Sequence, residues 1–152
     1  MAATAPEAFS EDDLDLRGLS GKVGYLLRRA QIAVFADFIE VLRELRLRPG
    51  QFAVMRLVGS NPGLTQSKVC SVLGIKRANL VTVIDELERR GLVTRAASAT
   101  DRRSNRLQLT EQGRAVLDQA TQLQERHEAL IGRRLGAGGY ADLLRLLAKL
   151  VD

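Results

Sequence analysis

The spacing of apolar residues along the chain predicts a protein made largely of helices. Over most of its length apolar residues recur every three or four positions, which is typical of helices that bury one face. Apolar and polar residues alternate, as in a strand, only on either side of a charged segment near residues 94–106. The predicted helices are about 20–46, one that starts at Pro49 and ends before the Asn-Pro-Gly sequence at 61–63, about 66–72, one that ends at Gly91, about 111–134 and about 140–151.

The helix that ends at Gly91 has one apolar face and one open polar face. Its apolar stripe consists of Leu80, Val83, Ile84 and Leu87, which are three or four residues apart. The opposite face of its first turns carries short or planar side chains with one arginine at the start: Arg77, Ala78, Asn79, Val81 and Thr82. Arginine can pair with guanine and asparagine with adenine, while valine and threonine methyl groups can contact the thymine methyl. This face is therefore predicted to read bases in a groove of DNA.

The helix that ends at Gly91, called the recognition helix from here on, is preceded by a shorter helix and followed by a predicted hairpin. Thr65 can cap the helix at 66–72, which ends at Gly74. Two helices joined by a short turn that contains glycine form a helix-turn-helix unit. After Gly91 two short strands flank the segment ASATDRRSNR, whose serine, aspartate and asparagine residues favour a turn. The cations of this charged tip are Arg102, Arg103 and Arg106.

These motifs resemble those of the MarR-type winged helix-turn-helix transcription regulators. The matching residues are LGI before the recognition helix, LERRGLVTR, the wing DRRSNR and the closing LTEQGR, and the resemblance runs from about Tyr25 to the C-terminus. It implies that Arg103 enters the minor groove and that Asp101 helps to orient it. It also implies that the recognition helix enters the major groove through Arg77, Ala78, Asn79 and Thr82. The run that starts at Lys76 departs from the small hydroxyl residues of many relatives, so the resemblance does not say which bases are read.

The predicted fold class is mainly α within α+β, a winged helix-turn-helix whose N- and C-terminal helices form a dimerisation region. The predicted parts are a flexible acidic arm over 1–17, a helical dimerisation region over 18–48 and 111–152, and a DNA-binding lobe over 49–110. The helix at 140–151 carries leucines on more than one side, which indicates a second surface that buries them. In the resembled family the terminal helices make the dimer. The alternative is a helix enclosed by the core of its own chain.

The positive charge of the chain is concentrated where the sequence places DNA. The 23 lysines and arginines exceed the 18 aspartates and glutamates by five. From Lys76 to Arg106 there are eight basic and four acidic residues, as expected for a surface that binds phosphate. Each of these cations could instead be a solvated surface charge or pair with a carboxylate one turn away. The candidates for phosphate contact are Lys68, Lys76, Arg89, Arg90 and Arg95.

His127 is the single histidine and lies on the predicted apolar stripe of the helix at 111–134, with Ala120 and Leu130. A lone histidine cannot supply a zinc site, so His127 either belongs to the core or lines a pocket. In the resembled family, effectors bind between the dimerisation helices and the DNA-binding lobe. On that basis the candidate lining residues are Gln31, Phe38, Phe52, Met55 and His127, and the candidate anchors for an anion are Arg28 and Arg29.

Other classes of function have weaker support in the residues. One cysteine cannot form an intramolecular disulfide and suits the cytoplasm. Redox sensing through Cys70 is an alternative, but relatives that switch by thiol oxidation carry the cysteine near the start of the first long helix. We expect no export, because the N-terminus lacks the basic and apolar regions of a signal peptide, and no membrane span, because no apolar run approaches about 20 residues. Because the chain has no phosphate-cradling glycine loop, nucleophile elbow or metal cluster, we expect neither an enzyme nor a cofactor.

We therefore predict a homodimeric, sequence-specific regulator of transcription that binds double-stranded DNA at a palindromic operator. The resemblance favours a repressor released by a small-molecule effector, such as an aromatic acid, a phenolic compound or its coenzyme A thioester. A winged helix that binds proteins is an alternative, against which the polar reading face argues. A winged helix that binds RNA is another, against which the scarcity of aromatic residues argues. Steep salt dependence with a preference for one duplex would separate the three.

Overall fold

The structure is a computed structural model that describes residues 17–97 and 105–151. The helices and strands follow the predicted order, and the mainly helical winged helix-turn-helix class is confirmed. The elements are α1 (Val23–Leu42), α2 (Pro49–Ser60), β1 (Leu64–Thr65), α3 (Gln66–Leu73), α4 (Arg77–Arg89), β2 (Val93–Ala97), β3 (Asn105–Leu109), α5 (Glu111–Leu135) and α6 (Gly139–Val151). A 3₁₀ turn, Arg43–Leu45, follows α1. The chain forms two compact units, with the boundary between Ala36 and Asp37.

The first unit contains the N-terminal part of α1, whose apolar side chains are exposed. The most exposed of them are Val23, Leu26, Ile32 and Phe35, at 44–62%. Arg28 and Gln31 are also exposed, and Arg28 Nη1 donates a hydrogen bond to Gln31 Oε1 at 3.3 Å. Apolar exposure on this scale is typical of a surface that an interaction partner buries.

The second unit, from Asp37 onward, is built around one hydrophobic core. The helix predicted over 20–46 ends earlier, at Leu42, and Arg46 takes a left-handed φ of 50° that a right-handed helix cannot contain. Burying one large aliphatic side chain stabilises the fold by about 1.5–3 kcal/mol. The buried face of α4 is therefore strongly anchored to this core. Its fully buried side chains are Leu42, Val54, Met55, Val58, Val69, Leu80, Ile84, Leu87, Leu92, Val93 and Leu107.

A three-stranded antiparallel sheet in the order β1-β3-β2 packs beside the helix-turn-helix. In the predicted hairpin, β2 and β3 pair from Val93 opposite Leu109 to Ala97 opposite Asn105. The added strand β1 pairs with β3 and has only two residues, too few to show the alternation that predicts a strand. Residues 98–104 lie outside the described part of the chain, and with them the predicted wing residues Asp101, Arg102 and Arg103.

Two threonines start helices at the positions that the sequence predicts. Thr65 Oγ1 accepts a hydrogen bond from the backbone N–H of Lys68 at 3.4 Å, and Thr110 Oγ1 accepts one from Gly113 N–H at 2.8 Å. These bonds satisfy backbone donors that have no partner in the first turn of a helix. Thr110 also donates to the carbonyl oxygen of Gly91 at 2.6 Å, so the start of α5 is tied to the turn that follows α4.

Gly113 allows the first turn of α5 to pass against the backbone of Leu92. A Cβ at Gly113 would lie 1.9 Å from the carbonyl oxygen of Leu92, so one of the two backbones would have to move. We expect Gly113→Ala to lower the free energy of unfolding by about 1–3 kcal/mol, as measured by urea denaturation. Gly132→Ala in the same helix is the control, because a Cβ there meets nothing within 4 Å. Equal stability of the two variants would contradict the close approach.

The helix α6 leaves its apolar residues uncovered within the described chain. None of its residues is buried. Its large exposed apolar residues are Leu143, Leu144, Leu146, Leu150 and Val151. Tyr140, in its first turn, donates a hydrogen bond to the Glu128 carboxylate of α5 at 2.7 Å, which raises the pKa of the Tyr140 hydroxyl. α6 is thus held to α5 by a polar contact while much of its apolar surface faces outward.

Candidate DNA-binding interface

The recognition helix α4 has the two faces that its sequence predicts. Leu80, Ile84 and Leu87 are fully buried and fix the helix to the core. On the other side Val81 is half-buried. The exposed residues of the first turns are Arg77, Ala78, Asn79 and Thr82. The short side chains among them leave the backbone of α4 close to the surface, so base edges could approach this face.

The surroundings of this face carry further cations. Lys68 on α3 and Lys76 at the N-cap of α4 are exposed.

Between the two helices Gly74 takes a left-handed φ of 62°, which closes the turn sharply because glycine has no Cβ to clash. The Thr82 hydroxyl donates to the carbonyl oxygen of Ala78 at 3.2 Å, and this bond fixes the orientation of its methyl group.

A notch of about 350 Å³ lies between the start of α2 and the exposed side of α4. Asn79, Thr82 and Val83 line it from α4. Arg48, Gly50 and Gln51 line it from the start of α2. The predicted base-reading residues therefore share a surface with the N-terminus of α2, which the sequence pattern alone did not reveal.

Glu86 joins α4 to the start of α2 beside this notch. Its Oε2 atom accepts hydrogen bonds from Arg48 Nη2 and from Gln51 Nε2, the latter at 2.7 Å. The bond from Arg48 is the main reason that the pKa of the Glu86 carboxyl lies below its usual value. Glu86 is therefore ionised and paired at neutral pH.

Arg95 connects the first wing strand to α4 through two carboxylates. Its guanidinium pairs with Glu88 and, at 2.5 Å, with Asp85. Its backbone N–H also donates to Glu88 Oε1 at 3.1 Å. The sequence predicts Arg95 as a candidate for phosphate contact, and in this structure its guanidinium joins β2 to the recognition helix.

The two arginines at the end of α4 differ in their surroundings. Arg90 donates to the carbonyl oxygens of Leu45 and Arg46, at 2.9 and 2.6 Å. These bonds satisfy carbonyls of the 3₁₀ turn, so Arg90 holds α4 against the segment after α1. Arg89 is exposed. The direct ion pairs of Asp85, Glu86 and Glu88 are made with arginines on other elements, while Arg89, one turn from Glu86, also lowers the pKa of the Glu86 carboxyl.

Of the predicted wing cations, Arg106 lies within the described chain. It is exposed on β3, opposite Thr65 of β1 and Ala96 of β2. Its side chain passes Gly63, where a Cβ would lie 3.6 Å from Arg106 Nη1. Arg106 therefore extends along the sheet toward the loop before α3.

The candidate effector residues of the second unit form an aromatic cluster at the edge of the core. Phe38 stacks on His127 with ring centroids 5.3 Å apart, and meets Phe52 edge to face at 5.6 Å. Phe52 and Met55 are buried core residues. His127 is only 4% exposed, and its Nε2 has no hydrogen-bond partner within the described chain. Leu130, predicted on the same stripe, is 47% exposed, and Leu117 is buried instead.

Sequence reasoning did not single out Arg48 and Gln51. The one available signal was Gln51 three residues after Arg48, a spacing typical of a capping box, with Pro49 between them. Cys70, the redox alternative, is half-buried against the core. Within the described residues no group of histidine, cysteine, aspartate and glutamate side chains could hold a metal ion. No helix in the described ranges has the length and apolar character needed to cross a membrane.

Two helices joined at Gly74 and followed by an antiparallel hairpin define the class of winged helix-turn-helix proteins. The chain belongs to the MarR family of transcriptional regulators, whose family model matches residues 47–104. It is 32% identical over 133 residues to the putative transcriptional regulatory protein for the hcr operon of Thauera aromatica, a match that covers 87% of this chain and 80% of that protein. The family resemblance in the sequence is thereby confirmed.

Solved structures of the transcriptional repressor CouR are similar to nearly the whole chain. CouR bound to a 23-mer DNA duplex has a TM-score of 0.87 and 42% identity, covering 91% of this chain and 99% of that chain. CouR bound to p-coumaroyl-CoA has a TM-score of 0.84 and 40% identity, covering 91% and 97%.

Proposed function

We propose that this protein is a repressor that binds a palindromic DNA operator as a homodimer and leaves it when a small aromatic effector binds. The observation that carries the proposal is the exposed face of α4, where Arg77, Asn79 and Thr82 project from a helix buried on its other side. The likeness to a repressor whose structure was solved on DNA supports the same function.

On DNA, α4 enters the major groove and its first turns read bases. Arg77 and Asn79 supply hydrogen bonds to base edges, and Ala78, Val81 and Thr82 supply apolar contacts. Lys68, Lys76 and Arg106 neutralise phosphates and position the helix without specifying sequence. In the wing, Asp101 orients Arg103 for the minor groove, and Arg102 adds a further cation.

Dimerisation uses the terminal helices, so residues 18–48 and 111–152 form the dimerisation region and 49–110 the DNA-binding lobe. The exposed leucines of α6 support this division, because a large exposed apolar patch marks a surface that is buried in an assembly. Two recognition helices related by a two-fold axis address half-sites about 10 bp apart or a multiple of that.

The effector contacts the aromatic cluster of Phe38, Phe52 and His127. A buried polar atom that lacks a hydrogen bond costs about 1–3 kcal/mol, and the Nε2 atom of His127 would regain that bond from a polar group of the ligand. The rings of Phe38 and Phe52 suit the apolar walls of a small-molecule site. Since the similar repressor CouR was solved with p-coumaroyl-CoA, we favour an aromatic acid or its coenzyme A thioester. Arg28, Arg29 and Gln31 of the first unit stay predictions.

Release follows from a difference in affinity between two states of the dimer. A ligand that prefers a half-site spacing incompatible with the operator shifts the population toward that state. Each 1.4 kcal/mol of preference weakens operator binding about tenfold. The ligand therefore needs no contact with the DNA-binding face.

Asn79→Ala is expected to weaken operator binding by roughly 1–3 kcal/mol, mainly through particular bases, because the asparagine amide reads a base edge. Fluorescence anisotropy on operators with single base-pair changes measures this. The control is Lys68→Ala, which should lower affinity for operator and random duplexes alike. An equal loss for Asn79→Ala on random DNA would show that Asn79 is no reader.

The proposed function is tested by selecting bound duplexes from a random pool and titrating the best one over about 50–200 mM salt. We expect one palindrome to be enriched, with affinity that falls steeply as salt rises. p-Coumarate, salicylate and p-coumaroyl-CoA are then added to the complex, and release by one of them fixes the effector class. No enriched duplex would overturn the proposal.

A further inference from the structure

We infer that Glu86 is a positioning residue that sets the base specificity of α4, acting through Gln51 and Arg48. Glu86 cannot itself attract DNA, since its carboxylate repels phosphates. The inference rests on the proposed DNA-binding function and deepens it. It assigns a role in operator recognition to three residues beside the notch that are not themselves proposed to read bases.

Gln51 is the centre of the linkage because both ends of its amide are used. The side chain is only 4% exposed. Its Oε1 accepts from the backbone N–H of Arg48 at 3.0 Å, and its Nε2 donates to Glu86 Oε2 at 2.7 Å. A buried amide that lost either bond would be left unsatisfied. Gln51 therefore fixes the distance between the start of α2 and the C-terminal part of α4.

Glu86 lies on the same face of α4 as the proposed base readers. It follows Asn79 by seven residues, Thr82 by four and Val83 by three, and residues at these spacings lie one above another on a helix. The hydrogen bonds of Glu86 to Arg48 and Gln51 therefore set the rotation of α4 about its axis, and with it the direction of the side chains that line the notch. Hydrogen bonds to base edges tolerate a misorientation of only about 10–20°. A small rotation of α4 would therefore weaken the hydrogen bonds that the Asn79 amide makes to a base.

The ion pair with Arg48 also neutralises the Glu86 carboxylate, which would otherwise repel DNA phosphates. Arg48 neutralises Glu86 and lowers the pKa of its carboxyl, while the Arg48 side chain stays 66% exposed at the rim of the notch. Without Glu86, the guanidinium of Arg48 would be released to attract phosphates of any sequence. The linkage thus restrains a non-specific contact and holds a specific one in place.

Glu86→Ala removes the acceptor of both hydrogen bonds. It is expected to reduce the ratio of operator affinity to random-duplex affinity by about tenfold, the discrimination of one base contact. Affinity for random DNA should hold or rise, and discrimination should be lost at the base pairs that Asn79→Ala affects. The matched control is Glu125→Ala, which removes the same side chain and charge from an exposed position on α5. The control should move both affinities in parallel and leave their ratio unchanged.

Arg48→Met provides an independent test, because its side chain is largely exposed and its loss should leave the fold intact. It should reduce the same ratio at the same base pairs, and the double variant with Glu86→Ala should be no worse than the more impaired single one. An unchanged ratio in either folded variant, or a uniform loss on all duplexes together with a lower melting temperature, would overturn the inference. If the wild-type protein itself shows no preference among duplexes, the proposed function fails instead.

Discussion

Replacing Leu146 and Leu150 of α6 with aspartate is expected to convert the dimer into a monomer and to weaken operator binding by about 100-fold or more. The two side chains are 52% and 61% exposed, so carboxylates there meet water in the monomer but would be buried without partners in a dimer. The reading face of α4 is unchanged, yet the gain from binding two half-sites at once is lost. Sedimentation equilibrium and anisotropy on the selected operator measure the two effects.

Lys149→Glu is the control for this pair, since it also changes the net charge by two units on the same helix. Lys149 is exposed, and the control should remain dimeric and bind the operator within a few-fold of the wild type. A double variant that sediments as a dimer, or a monomer with undiminished affinity, would show that α6 does not form the interface.

His127→Phe is expected to abolish effector-induced release while operator affinity stays within about twofold of the wild type. A phenyl ring can keep the stacking on Phe38, and it removes the Nε2 atom that lacks a partner within the described chain. Replacing an unsatisfied polar atom with an apolar one is neutral or stabilising. The melting temperature should therefore hold or rise, whereas the hydrogen bond to the ligand is lost.

This prediction is checked by titrating p-coumaroyl-CoA, or whichever compound of the panel releases the wild type, into the complex of each variant with the operator. Arg126→Gln is the matched control, because Arg126 is exposed beside His127 on α5 and its loss should leave release intact. Unchanged release from His127→Phe would remove His127 from the effector site. A marked drop in its melting temperature would show that the imidazole has a structural role.

The fold could be predicted largely because its signals are local. Thr65 and Thr110 cap helices where the sequence places them, and Leu80, Ile84 and Leu87 are buried as their spacing requires. The strand β1 was missed because two residues carry no period. The close approach at Gly113 could not be foreseen either, since it depends on where the backbone of Leu92 passes.

In the candidate site, too, features set by local sequence could be predicted and features set by packing between elements could not. The exposure of Arg77, Asn79 and Thr82 follows from the periodicity of α4. The partners of Glu86 and Arg95 do not, since each ion pair joins α4 to another element and depends on how the two elements pack. The sequence does not separate effector-binding residues from core residues, because both occupy the same apolar stripe of a helix. His127 stands out from them only through the environment of its Nε2 atom.

The most direct test of the account is a hydroxyl-radical footprint of the wild-type protein on the selected duplex. Two recognition helices related by a two-fold axis should protect two equivalent segments, with centres about 10 bp apart or a multiple of that. Protection should be symmetrical about the dyad and should disappear when the effector is added. A single unsymmetrical segment, protected by one copy of the chain, would contradict the account.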